Sequence, residues 1–363
     1  MAARSGSAIL SIAAFVLLLF AGVAGLRLMP ASAEPYIATR TGFKCGQCHV
    51  NRTGGGKRTD FGVVYAQTQL SMDLLRPAEG ASSFNGYLSE SVSMGANFRS
   101  DHVVLFDYAS REDDLGTTSS SEITEANLYF EIDLIPGSAL LYIDQTLAPN
   151  SSNRELFGLI ENLPAHSYIK IGRMLLPYGL RLLDNDAFVR SKTGYTYSRQ
   201  GVGVEVGLEP GPLALIANLT DDQLSVVGSL VFRRVRLGGS IGRSIRRSGD
   251  MTFGPFAGLN AGRFTLLGEV DLIDEQGIDQ LAALAELNYL VRRGLNVKLT
   301  YEFFDRNRDV SNDRDGQERM TLGAEPFIAQ FVQAGLFYRT NRFIPQNAAE
   351  NQDQMILQFH LFF

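Results

Sequence analysis

The 363-residue chain has no tryptophan, four histidines and only two cysteines. Two cysteines cannot build a disulfide framework, nor by themselves supply the four ligands of a structural zinc site. Beyond the N-terminal stretch, long apolar runs are also missing. From Asn85 onward no stretch reaches the roughly eighteen unbroken apolar residues of a membrane helix. A net charge of −6 without a basic stripe excludes the electrostatic footprint of a nucleic-acid binder.

The two cysteines stand together in Cys45-Gly46-Gln47-Cys48-His49, the spacing of a c-type haem attachment site. Each thiol can add to one haem vinyl group, and the adjacent histidine can ligate the iron. A C-x-x-C pair can also be a redox dithiol, but that needs a βαβ context this pattern does not offer. As half of a zinc site it lacks the other half, since no further cysteine and no H-x3–5-H follows. A disulfide across the two intervening residues is geometrically poor. One covalent haem c is therefore expected, held by Cys45 and Cys48 with His49 as axial ligand.

Residues 1–33 read as an export signal. Arg4 lies in a short n-region, an apolar run extends from about Ala8 to Met29, and Pro30-Ala31-Ser32-Ala33 offers an A-x-A cleavage site before Glu34. The run is long enough for a transmembrane helix, but the small-residue site directly after it favours a cleaved signal. Export suits the haem motif, because c-type attachment is completed outside the cytoplasm.

Residues 34–83 form a short α/coil module around the motif. A helix is expected from Asp60, as N-cap, to Leu75, on the spacing of Val63, Val64, Gln67, Leu70 and Leu74. So small a unit buries little apolar surface and needs the haem, and a larger body, as its core.

Residues 84–363 change character. Segments of about ten residues alternate in polarity. In Ala126–Leu134 the even positions are apolar while Asn127, Glu131 and Asp133 share the other face. In Arg263–Leu272, Phe264, Leu266, Val270 and Leu272 oppose Arg263, Glu269 and Asp271. A soluble β-sandwich alternates too, but the connections decide. Tight turns are expected at Pro136-Gly137, Leu163-Pro164-Ala165, Glu209–Pro212, Asn260-Ala261-Gly262, Arg292-Arg293-Gly294 and Glu325-Pro326. Longer polar connections fall between them, as periplasmic turns alternate with extracellular loops. The fold class is all-β: an antiparallel transmembrane β-barrel of about 16 strands with the N-terminal haem module. Its last strand alternates Met355, Leu357, Phe359, Leu361 and Phe363 toward lipid, ending on an aromatic as outer-membrane proteins do.

This layout resembles the fused outer-membrane monohaem cytochrome c–porins, of which the iron-oxidising type is best known. The resemblance rests on the signal segment, the single C-x-x-C-H near its end, the barrel and the terminal phenylalanine. The stretch Thr41–Asn51 with Gly54-Gly55-Gly56 after it is similar to the haem segment of such proteins. Gly172-Arg173-Met174 and Leu176–Arg181 resemble the G-R-x-x-x-P-x-G-L region of phosphate-selective-type porins. The resemblance implies electron transfer at the bacterial outer membrane between a periplasmic carrier and an extracellular or lumenal redox partner, with extracellular Fe(II) one possible donor. The alternative is a diffusion porin whose haem module is a structural or redox-sensitive plug. A peroxidase-type haem enzyme would need a distal acid–base pair, and none stands beside the motif.

The sixth iron ligand is not fixed by spacing. Met72 is the nearest methionine downstream, placed by the helical pattern on a face where it also serves as ordinary packing. Strand parity turns His166 and His360 toward the lumen near tight turns, where a polar lining is the plainer role. The long connection from Leu176 to Arg199 can fold inward as a constriction. Acidic residues Glu112, Asp113, Asp114, Asp309, Asp313 and Asp315 lie on loops, where they gather cations or simply face solvent.

Overall fold

The computed structural model describes residues 34–75, 85–107, 116–247, 249–310, 316–344 and 351–363. The expected signal, residues 1–33, lies outside them, as do Glu112, Asp113, Asp114, Asp313 and Asp315.

Sixteen antiparallel strands close into one barrel in which each strand pairs with its chain neighbours and the first pairs with the last. The strands are β1 (Val92–Asp107), β2 (Gly116–Ile135), β3 (Ala139–Ala148), β4 (Ser152–Leu163) and β5 (Ser167–Leu175). They continue with β6 (Gln200–Leu208), β7 (Leu213–Thr220), β8 (Gln223–Val231), β9 (Val235–Ser244), β10 (Met251–Ala261) and β11 (Phe264–Glu275). The last are β12 (Ile278–Arg292), β13 (Leu295–Asp305), β14 (Gly316–Ala329), β15 (Val332–Ile344) and β16 (Gln352–Phe362).

Burial alternates residue by residue along these strands, and it is inverted relative to a soluble protein. Glu205, Asn218, Ser225, Thr265, Asp271 and Asn288 are buried, while Val204, Leu219, Leu237, Leu272, Leu299 and Leu322 are exposed. A polar interior behind an apolar outer surface is the arrangement lipid demands and water penalises.

One expected turn is corrected. Glu325 and Pro326 lie inside β14, and the chain reverses at Gln330 and Phe331. The proline is tolerated because β13 begins opposite it, at Leu295, and a bulge between Phe327 and Ala329 already breaks the outer ladder.

Two inserts fill the lumen. The first is the N-terminal segment, built of α1 (Pro35–Thr41), the single turn α2 (Cys45–Cys48) and α3 (Asp60–Tyr65), which widens into a π turn over Ala66–Leu70. It sits at the short-turn mouth. Lys44 Nζ donates to the carbonyls of Glu209 (2.8 Å) and Leu213 (2.6 Å), and Arg40 reaches Thr265 and Asn296. The expected helix from Asp60 to Leu75 is corrected at both ends. Thr59 is the N-cap, accepting the Gly62 N–H at 3.2 Å. Beyond Leu70 the backbone runs alongside the end of β14, with the Met72 and Leu74 amides donating to Phe327 and Ile328. Those sheet-edge acceptors replace the next helical turn. The second insert is the β5–β6 connection, which carries the short helix α4 (Phe188–Ser191).

Candidate haem site

The helical turn α2 places Cys45 and Cys48 three residues apart, and so on one face. Gln47 Oε1 accepts the Lys44 N–H at 2.9 Å and fixes the start of the turn. His49 donates its N–H to Cys45 O at 3.0 Å and leaves the helix in an extended conformation. The chain then doubles back. Val50 donates to Lys57 O at 3.0 Å, Thr59 donates to Cys48 O at 3.1 Å, and His49 faces Arg58 across the bridge.

The reversal needs its glycine run. Gly54, Gly55 and Gly56 take φ values of 93°, 82° and 69°, in the left-handed region that only glycine enters cheaply. A β-carbon at Gly54 would fall 3.4 Å from Cys45 Sγ, and one at Gly56 would fall 2.1 Å from Tyr142 Oη. The run thus forms a flat cradle against the cysteine on one side and the barrel wall on the other.

Cys45, Cys48, His49 and the three glycines open into one cleft inside the lumen, with about 1000 Å³ of non-atom space including its open mouth. Its other walls carry Lys44, Arg58, Arg99, Arg154, Arg181 and Arg236 against only Glu34 and Glu125. Arg181 Nε and Arg236 Nε are buried without an acceptor among the described residues. So is His49 Nδ1. Burial, reinforced by Arg58, pushes the His49 imidazolium down to about 3, so its ring is a neutral base. Burial pushes the Cys48 thiol up to about 11. Both cysteines are free thiols. Two thiols, a neutral imidazole, a cradle without β-carbons and unmet guanidinium donors fit a planar iron porphyrin with acidic edge groups.

The three candidates for a sixth ligand separate. His360 is buried, faces inward from β16 and lines the same cleft as His49. His166 does not face the lumen. It is exposed in the β4–β5 turn with φ of 54°, because β5 begins only at Ser167. Met72 is not on a helix face. It packs at the short-turn rim, where a β-carbon on Gly294 would meet its side chain at 2.4 Å, and it does not line the cleft.

The long β5–β6 connection folds inward, as expected for a constriction. Its backbone is received by polar groups on the opposite wall. The Gly179 N–H donates to Ser240 Oγ (2.8 Å), Leu180 N–H to Glu269 (2.7 Å) and Phe188 N–H to Glu302 (2.7 Å). Arg319 donates to Asp186 O at 2.8 Å, and Arg339 pairs with Asp184. Of these receiving groups, sequence reading placed only Glu269 on an inward face, and it did not identify any of them as an anchor for the loop. Their signal was present as inward-facing acids on β11 and β13. Beyond this loop lies a larger chamber of about 2030 Å³ of non-atom space, open mouth included, in which carboxylates outnumber cations. Glu34, Arg99, Glu125, Arg154 and Tyr197 line both spaces, so the chamber adjoins the cleft. Asp309 is exposed on its loop. Among the described residues no group of three or more His, Cys, Asp or Glu side chains is placed to hold a bare metal ion.

No family model and no curated protein matches the chain. Solved structures do. The anion-selective porin from Comamonas acidovorans aligns with a TM-score of 0.57 at 9% identity, covering 75% of this chain and 99% of that one. Salmonella typhi OmpF, solved in complex with daunomycin, gives 0.58 at 10% identity over 75% and 97%. The outer membrane channel DcaP of Acinetobacter baumannii gives 0.53 at 10% identity over 77% and 99%. At such identities the likeness is one of fold: this chain is built on the closed sixteen-strand barrel of outer-membrane porins.

Proposed function

We propose that the chain is a monohaem c-type cytochrome held inside an outer-membrane porin-type barrel. It passes electrons between a periplasmic carrier and a redox partner reached through the outer part of the lumen. One observation carries the reading: Cys45, Cys48 and His49 open together into one cleft within the lumen, lined by an excess of arginines. The export signal read at residues 1–33, the inverted burial and the porin fold support an outer-membrane location.

In this reading Cys45 and Cys48 hold the haem through thioethers and His49 binds its iron. The bound group supplies one-electron chemistry. The protein does the rest. Arg181 and Arg236 offer donors to acidic edge groups, the glycine cradle fixes the distance to the wall, and the inward loop restricts the approach of bulk solutes. The short-turn mouth, where the motif sits, corresponds to the periplasmic side. The adjoining acidic chamber would draw small cations toward the wall it shares with the cleft. Extracellular Fe(II), the donor implied by the cytochrome–porin resemblance, is one such cation.

The test begins with the full chain produced under c-type maturation and purified from outer membranes. Covalent haem is expected in the wild type and absent when both cysteines become alanine. A wild type without covalent haem overturns the reading. In proteoliposomes, electron transfer from external Fe(II) to an enclosed acceptor, without solute flux, is the expected result. Solute flux without electron transfer favours the diffusion porin with a plug. A haem indifferent to Fe(II) removes that donor alone.

A further inference from the structure

We propose that His360 is the second axial ligand of the haem iron, opposite His49. This deepens the haem reading above and rests on it.

Among the described residues, the cleft holding Cys45 and Cys48 is lined by two histidines, His49 and His360, and by no methionine. The two are joined by a chain of contacts. Arg58 bridges His49 on the returning strand and lays its guanidinium 4.2 Å from the centre of the Phe362 ring. The Phe362 ring centre lies 5.0 Å from that of His360. The module strand and β16 are thus locked at the place where the two imidazoles look into one space.

His360 is held between two amides. Nδ1 lies 2.9 Å from Gln333 Oε1, and Nε2 lies 2.6 Å from Asn97 Oδ1. A neutral imidazole has a single N–H, so it cannot donate to both oxygens. Asn97 also donates to the Glu125 carboxylate, which keeps its oxygen toward Nε2–H, so Gln333 is the amide that turns its NH2 toward Nδ1. Asn97 and Glu125 both line the cleft. Ligation through Nε2 requires the Asn97 amide to move aside and the ring proton to pass to Nδ1, where Gln333 Oε1 accepts it, the outer hydrogen bond of metal-binding histidines. Met72 at the rim and His166 in its exposed turn have no such approach.

The experiment uses the purified full-length protein, with covalent haem first established in the wild type. Electron paramagnetic resonance and near-infrared magnetic circular dichroism of the oxidised form are expected to give a low-spin iron with two imidazoles. His360→Ala is expected to lose that signature, become largely high-spin, and recover it on adding free imidazole. His360→Met, which keeps a ligand and most of the volume, is expected to stay low-spin with a thioether signature and a raised midpoint potential. His166→Ala and Met72→Leu should leave spectrum and potential unchanged. Retention of the wild-type spectrum and potential by both His360 variants, or their loss in Met72→Leu, overturns the assignment while leaving the haem reading intact. A wild type without covalent haem overturns both.

Discussion

Gly56 shows how tightly single residues are specified around the motif. It combines a left-handed backbone with a β-carbon position 2.1 Å from the hydroxyl of fully buried Tyr142, which also accepts the Lys57 N–H at 3.0 Å. Gly56→Ala is expected to cost the seating of the module at least about 1–2 kcal/mol from backbone strain alone. Limited proteolysis would register this as faster cleavage between residues 34 and 75, with the heat-modifiable mobility of the barrel unchanged. The glycine run was visible in the sequence, but its partner Tyr142 was not, because the contact spans most of a hundred residues. His360 was legible through strand parity. His166 was misplaced because parity was carried one residue past the strand, into a turn. Met72 was misplaced because the apolar spacing continues to Leu74, while the backbone there is captured by β14, a non-local partner that no local period reveals.

Among the elements, the strands were the most legible, since a period of two on a barrel wall is imposed by lipid on one side and water on the other. Turns were legible only where glycine or proline marked them. Phe232-Arg233-Arg234 between β8 and β9, and Asp221-Asp222 between β7 and β8, carry neither residue and gave no signal. The β5–β6 loop was recognisable by its length, and its anchors on the far wall emerged only with closure of the barrel. Replacing residues 180–196 by a short flexible link is expected to raise single-channel conductance in planar bilayers well above the wild-type level. An unchanged conductance would show that the N-terminal module alone closes the lumen.

At the scale of the whole molecule, module and barrel share one electrostatic interior, and Glu34 is where they meet. Burial pushes its carboxyl up from 4.5 to about 8. Lys298 and Arg99 pull it down, and Glu325 and Glu286 push it further up. The seated module therefore holds a proton that the released segment gives up as pH rises. Where the chain is cleaved before Glu34 the new α-ammonium group lies beside this carboxyl and lowers it, so seating is expected to weaken with rising pH in a window that opens near 4.5 and closes below about 8. Protease susceptibility of the module, followed across that range, should rise with pH in the wild type and flatten in Glu34→Gln.

The barrel is closed by β1 meeting β16, and the segment bearing Cys45 and Cys48 enters the lumen just before β1 begins. The thiols end inside a ring drawn shut by their own chain. Topology here sets a timetable. In the proposed haem reading, attachment would come while the polypeptide is still an open thread, and the folded wall would then enclose the bond.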